Sequence, residues 1–500
     1  MADPPDNKKS STTLKQGAFR NGRDLTTGSI PRHLVAFSLP MLAGNVLQTA
    51  YSLINAVWVG KFLGTTALAA VTVSFPTVFV LVAVAGGLTM ATNILISQAA
   101  GARDWARMRR VVQSSTVLSG GLALVILGMG LLFAESLLRL MNTPAEVLPL
   151  ASHYLRIFLF SIPPSFGFFL IAAMLRGVGD SATPLYFQVV SVGLNAVLDP
   201  ILMFGWLGMP RLDLNGTAVA TVVSQVVALA ALLIYIQRKQ HTVAPDWRHL
   251  RADAETVWLN VKIGLPVAIQ QSVVSLGQLF VIGLVNGFGE TAVAAFGAAM
   301  RIDQVAFLPA MTIGMAVATV AGQNIGANRY ARVRRVFASA VLMSAAITLA
   351  CSALVVSLPG ALLRLFINDP EVIALGVRYL HIVGACYVLF AVMFASNGVI
   401  NGAGHTFITT VITVFSLWIV RVPLATYLSR SLQNVVGVWY AMSASFATSM
   451  VISLMYYFSG RWKRPVVRRR PTLPVPAQVA ADLQEPIVSP HTLDTETASE

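Results

Sequence analysis

The sequence predicts an all-α membrane protein with twelve transmembrane helices, arranged as two parallel six-helix repeats (an N-lobe and a C-lobe) around a central cleft. Three observations lead there. The chain is 56% hydrophobic and only 11% charged, with mean hydropathy +0.70, a balance foreign to a soluble domain. A helix crosses a bilayer in about 20 apolar residues, and runs of that kind fall at 35–60, 67–97, 112–134, 149–175, 183–206, 216–237, 262–286, 291–321, 336–358, 373–400, 407–428 and 435–459. Landmarks of the first half also return in the second at a nearly constant offset of about 225 residues.

The duplication is detailed. Ser38-Leu39-Pro40 returns as Gly264-Leu265-Pro266, and Gly64-Thr65-Thr66-Ala67 as Gly289-Glu290-Thr291-Ala292. Gln98-Ala99-Ala100-Gly101-Ala102 returns as Gln323-Asn324-Ile325-Gly326-Ala327, and Arg176-Gly177-Val178-Gly179-Asp180 as Asn401-Gly402-Ala403-Gly404-His405. Six spans separate the copies, and an even number leaves both in the same orientation. The expected division is a disordered tail at 1–33, an N-lobe at 34–237, a polar linker at 238–261, a C-lobe at 262–459, and a basic, then disordered tail at 460–500.

Charge sets the orientation. The two tails and the loops on their side carry 26 of the 35 Lys and Arg, while the opposite loops carry seven. Positive residues stay inside, so both termini are expected in the cytoplasm and the protein in the cell inner membrane, with membrane lipid around it. Net charge +14 is thereby explained without a nucleic-acid partner, for which no exposed basic domain with stacking aromatics exists. Two cysteines, Cys351 and Cys386, are too few for a disulfide framework or a metal site and read as core residues. Residues 1–29 lack a cleavable signal, so the first span serves as the membrane signal.

Of 21 acidic residues, only Asp199 and Asp303 fall well inside spans. An isolated carboxylate at the bilayer centre costs at least about 2.5 kcal/mol, so Asp199 must face protein, water or a cation; a structural Arg partner is the bland alternative. Asn195 lies one turn before it on the same helix face. Pro200 frees a backbone carbonyl nearby, as in helices that line cavities. Span directions put Asn55 and Thr221 at similar depth. Asp199, Asn195, Thr221 and Asn55 thus offer oxygens suited to a proton or a hard monovalent cation, with Na+ as the metal candidate at Asp199. As isolated residues, Asn55 and Thr221 would read as interhelical hydrogen bonds.

Other polar or bending residues are candidates for the substrate cavity or its hinge: Pro40, Tyr51, Gln270, Gln271, Gln278, Arg301, Asp303 and Arg421. Asp303 and Arg421 are expected either to pair across the C-lobe interior or to serve packing alone. Pro40 is expected to bend the first span. Phe37, Tyr51, Trp58, Phe75, Phe79 and Met90 are candidates to line an adaptable apolar cavity. The glycines at 177, 179, 402 and 404 read as tight turns rather than a phosphate loop, because no strand precedes them.

The doubled plan, the Gln-x-x-Gly-Ala segments, the Arg-Gly-x-Gly-Asp turn and Asn195-x-x-x-Asp199-Pro200 together resemble the multidrug and toxic compound extrusion (MATE) family, and within it the prokaryotic DinF-like branch. The resemblance covers about 34–459. It implies cation-coupled efflux of organic, often cationic, compounds by alternating access, with Asp199 as the ion site, Asn195 its companion and Thr221 the hydroxyl of the sixth span. The family usually carries Asp in the first span where this chain has Asn55, so Asp199 is the sole acid of the N-lobe interior. Gln270, Gln271 and Gln278 stand where some branches carry Glu.

The expected function is therefore a secondary active antiporter driven by H+ or Na+, a monomer without other cofactor, acting on a small organic substrate. The alternatives are a lipid-linked precursor flippase of the same superfamily, which would need a strongly cationic cavity, and a membrane-embedded enzyme, which would need clustered acids or His at metal-ligand spacing. A channel would need a ring of charge, and one acid in a doubled chain supplies none.

Overall fold

The computed structural model describes residues 22–464; the expectations placed on 1–21 and 465–500, and on the side chains of Phe75 and Phe79, lie outside the described residues. The N-terminal repeat comprises α1 (Ile30–Phe62), α2 (Gly64–Ala102), α3 (Trp105–Leu140), α4 (Leu148–Leu159), α5 (Ile162–Gly177), α6 (Ala182–Phe204) and α7 (Asp213–Arg238). The C-terminal repeat comprises α8 (Ala254–Asn286), α9 (Glu290–Gly326), α10 (Tyr330–Ser357), the short α11 (Pro359–Arg364), α12 (Pro370–Gly384), α13 (Tyr387–Gly402), α14 (Thr406–Val414), a π-helical turn Phe415–Arg421, α15 (Val422–Ser431) and α16 (Val436–Phe458). No strand occurs among the described residues. Ten helices are long and apolar enough to cross a membrane, counting α14 to α15 as one. The pairs α4–α5 and α12–α13, bent by 44° and 43°, bring the number to twelve when each counts as one span.

The duplication is carried into the backbone. The two bends sit at Phe160–Ser161 and Ala385–Cys386, about 225 residues apart. Gly179 and Gly404 both turn with positive φ, +91° and +89°, where a side chain would strain the chain. Asp180 then caps α6, accepting from Thr183 N at 3.0 Å and Thr183 Oγ1 at 2.6 Å. Pro40 lies within the continuous α1, half-buried, and does not break it.

Burial ranks the helices. The apolar window of α2 at 83–102 is 78% buried and that of α9 is 67%, against 17–44% for the other single-helix spans. These two therefore form the centre, with α2 packed on α8 and α9. Small residues permit the contact, as expected where helices associate without hydrophobic drive. A Cβ built on Gly87 would lie 2.4 Å from Gly264 O, and one on Gly101 only 1.8 Å from Gln323 O.

Hydrogen bonds join the repeats at the end where α2 and α9 terminate. Asn93 accepts from Thr319 (3.0 Å), Gln98 donates to Gly402 O (2.8 Å), and Gln323 donates to Gly177 O (3.0 Å). Asn260 accepts from Thr92 (3.1 Å) and Ser115 (3.3 Å). The segment 239–253 between repeats is non-helical; it is held by Gln237 to Pro245 O (2.7 Å) and by Asp253 N to Ser114 Oγ (2.9 Å). On its surface the His249 ring, bonded to Asp246, holds that carboxyl below the usual range.

One expectation about the tails needs correction. Residues 22–29 are not a disordered extension but a packed strap: Leu25 is 1% exposed and joins a core with Leu34, Val333 and Trp462. Residues 460–464 are packed too. Trp462 is 2% exposed and stacks on Tyr457 at 5.7 Å. Composition alone misses the strap, because its order comes from partners on distant helices rather than from local propensity.

Candidate functional site

Asp199 lies on α6 and is 1% exposed. Among the described residues no Lys, Arg or His stands within ion-pair distance of it, so the bland reading of a structural salt bridge does not hold. Its companions are neutral oxygen and nitrogen groups. Asn195, one turn back and 4% exposed, has its amide orientation assigned from the hydrogen-bond network. In that orientation its nitrogen donates to the two Asp199 oxygens at 3.2 and 3.0 Å, and its oxygen faces Thr221 (N at 3.1 Å, Oγ1 at 3.3 Å). Thr221, on α7, also donates to Thr217 O at 2.9 Å.

Tyr51, read from sequence as a cavity residue, belongs to this cluster. Its hydroxyl lies 2.5 Å from the Asn195 amide, bringing α1 onto α6. Asn55 does not join it: the residue is half-buried, and its buried Oδ1 has no hydrogen-bond partner. The depth argument found the right helix, and the contact falls one turn earlier. Sequence reasoning missed Gln188, Ser191 and Gln225. With Tyr51, Asn195 and Thr221 these line a cavity of about 30 Å³, room for one small guest. Gln225 Oε1 is buried without a partner, while Gln188 donates to Gly44 O at 3.2 Å. Glutamine is common in interhelical contacts, so no single-position signal could have found them.

The C-lobe candidates do not converge on a cavity. Asp303 (6% exposed) accepts from Tyr379 and Tyr387, both at 2.5 Å. Arg421 (8% exposed) donates to Ser445 at 2.8 Å and lies 4.9 Å over the Phe446 ring. The expected Asp303–Arg421 pairing is therefore corrected; each has its own neutral partners. Arg421 ends the π-helical turn, where an extra residue shifts the face that α-helical counting assigns. Arg301 is exposed and stacks on Phe366 at 5.8 Å. Removing one donor with Tyr379→Phe or Tyr387→Phe should destabilise by about 1–3 kcal/mol, since a buried carboxylate is left under-satisfied. A thermal melt unchanged by both would rule out a structural role for these bonds.

Of the remaining candidates, Gln270 donates to Thr413 (2.7 Å), Gln278 to Met300 Sδ (3.3 Å), and Gln271 is exposed. Phe37 is core, packed with Ile313 and Val317, and Trp58 stacks with Phe62 at 5.0 Å, so neither is a free cavity wall. A larger groove of about 490 Å³ lies between α8 and α14, walled by Leu265, Ile269, Phe407 and Val411. No charged group reaches it.

Two six-span repeats sealed together at one end, each holding a buried acid without a counter-charge, define a multi-pass membrane transporter of the doubled-repeat class. The MatE family model matches residues 40–201 and again 266–427, one match per repeat. The chain is 33% identical over 445 residues to the probable multidrug resistance protein YoeA of Bacillus subtilis, covering 88% of this chain and 96% of that one. It is 34% identical over 440 residues to the probable multidrug resistance protein YpnP of the same organism, covering 88% and 97%. A crystal structure of a MATE protein in the bent conformation superposes with TM-score 0.81 at 26% identity, covering 89% and 96%. The chain belongs to the MatE family of multidrug efflux transporters, and is not an enzyme.

Proposed function

We propose that the protein exports small organic compounds by alternating access, driven by inward movement of H+ or Na+ through exchange at Asp199. The observation that carries this is the uncompensated carboxylate bonded by Asn195, whose amide is in turn held by Thr221 and Tyr51, beside a cavity of about 30 Å³. A lone acid in that setting is stabilised by whatever cation or proton arrives and is costly when it leaves. Occupancy of Asp199 then biases one access state over the other, which is all that coupling requires. Asn195 and Thr221 act as neutral ligands or donors, and Tyr51 ties the site to α1. The multidrug names of the relatives support an organic substrate.

The bias of basic residues supports a cytoplasmic or inner membrane with both termini inside. A monomer suffices for the mechanism, with no cofactor beyond the ion. A flippase is the weaker reading, because Arg301 and Arg421 stand apart and share no cationic cavity.

The test is dye efflux from proteoliposomes under separately imposed proton and sodium gradients. Efflux that responds to one gradient and collapses with it supports the reading; identical rates with and without either gradient overturn it. Asn55→Asp restores a second acid one turn from Tyr51 and should change the ion preference or the number of ions per substrate, read from the slope of rate against imposed potential.

A further inference from the structure

We infer that residues 22–29 are a latch that holds the sealed end of the two repeats shut, and must release before that end opens. The inference rests on the alternating-access reading above. The strap lies across the seam and is bonded to both sides. On the N-terminal repeat, Arg23 N donates to Val178 O at 3.1 Å, and Gly179 lies so close that a Cβ there would meet Arg23 O at 2.5 Å. On the C-terminal repeat, Leu25 N donates to Gln323 Oε1 (3.0 Å) and Leu25 O accepts from Asn324 (3.2 Å). Arg329 donates to Thr26 O (2.6 Å), and one Arg332 nitrogen donates to both Thr27 O (2.7 Å) and Gly28 O (2.8 Å).

The design is selective. The arginines read backbone carbonyls and so recognise the strap's conformation, while the Asp24 side chain pairs with Arg103 at 3.7 Å. Asp24 sets that conformation by accepting from Thr26 N (2.8 Å) and Oγ1 (2.5 Å). Gln323 is shared: its oxygen holds the strap while its nitrogen holds Gly177 O of the other repeat. Separating the end of α9 from that of α5 therefore breaks the seam and the strap at one residue. Leu25 fills the space above it, fully buried. A strap that merely packed on one repeat would not need bonds to both.

The test measures distance between spin labels on opposite repeats at this end, on Arg110→Cys and Arg335→Cys in a Cys351→Ser/Cys386→Ser full-length chain in nanodiscs. Both labelled positions are exposed. Arg329→Ala/Arg332→Ala, which removes three charge-assisted hydrogen bonds, and, separately, Leu25→Ser should each raise the long-distance population by about tenfold or more, tenfold being the change expected from one such bond. Arg334→Ala, an exposed neighbour, should leave it unchanged. Leu25→Ser keeps the proposal open to test should the double variant fail to purify. Distributions identical to the parent in both strap variants overturn the latch. If they stay identical while the parent still changes distance with pH or sodium, the latch fails and alternating access stands. If the strap variants open while Asp199→Asn abolishes ion response, both stand; if they open and ion response survives Asp199→Asn, the latch stands and the assigned ion site fails.

Discussion

Asp199→Asn is expected to abolish gradient-driven efflux while leaving the protein folded. Couplings between an ion and a second site are typically worth about 1–3 kcal/mol, or about 5–150-fold, so the ratio of driven to undriven efflux should fall by that factor towards one. The substitution is nearly isosteric and removes a buried carboxylate that has no counter-charge, so thermal stability should hold or rise. That combination separates a coupling role from a packing role. An Asn variant that melts early and recovers full coupling when stabilised would make Asp199 structural. Asn195 is the natural second target: Asn195→Leu strips the acid of its amide donor and should weaken both stability and coupling.

Gly101→Ala should be the most damaging Gly→Ala change among the described residues. Its Cβ would stand 1.8 Å from Gln323 O, and that of Gly326→Ala 2.1 Å from Gln98 O, both against backbone that cannot swing aside. Overpacking costs about 1–3 kcal/mol where neighbours can adjust; here the helix ends themselves must part, so the upper end or beyond is expected. Gly120→Ala provides the opposite sign. Nothing lies within 4 Å of its added methyl, on an exposed face of α3, so removing a helix-interior glycine should stabilise by about 0.5–1 kcal/mol. Melting curves of the purified variants check both, and a neutral Gly101→Ala would mean that the repeats do not meet this closely in solution.

Much of the candidate site was readable in advance because it is local. Asn195 and Asp199 share a face by helical spacing alone, and a charge at membrane depth declares itself against an apolar background. Tyr51 was noticed but given another place, since its partner lies 144 residues away. Gln188 and Gln225 carried no signal. The Asp303–Arg421 pairing failed for a definite reason. Opposite charges within one lobe invite a salt bridge, but two tyrosines already satisfy the acid, and the π-helical turn ending at Arg421 turns that side chain to Ser445 and Phe446.

By itself the sequence determined the membrane class, the doubled plan and the position of the one acid well inside the N-lobe spans, because these depend on hydropathy over about 20 residues, on internal repetition and on the cost of burying charge. Only the tertiary structure decided which groups surround that acid, that Asn55 stands outside its hydrogen-bond set, and that residues 22–29 are ordered. Each of those depends on which surfaces of distant helices meet, and a polar strap held by Gln323, Arg329 and Arg332 has no local pattern to betray it.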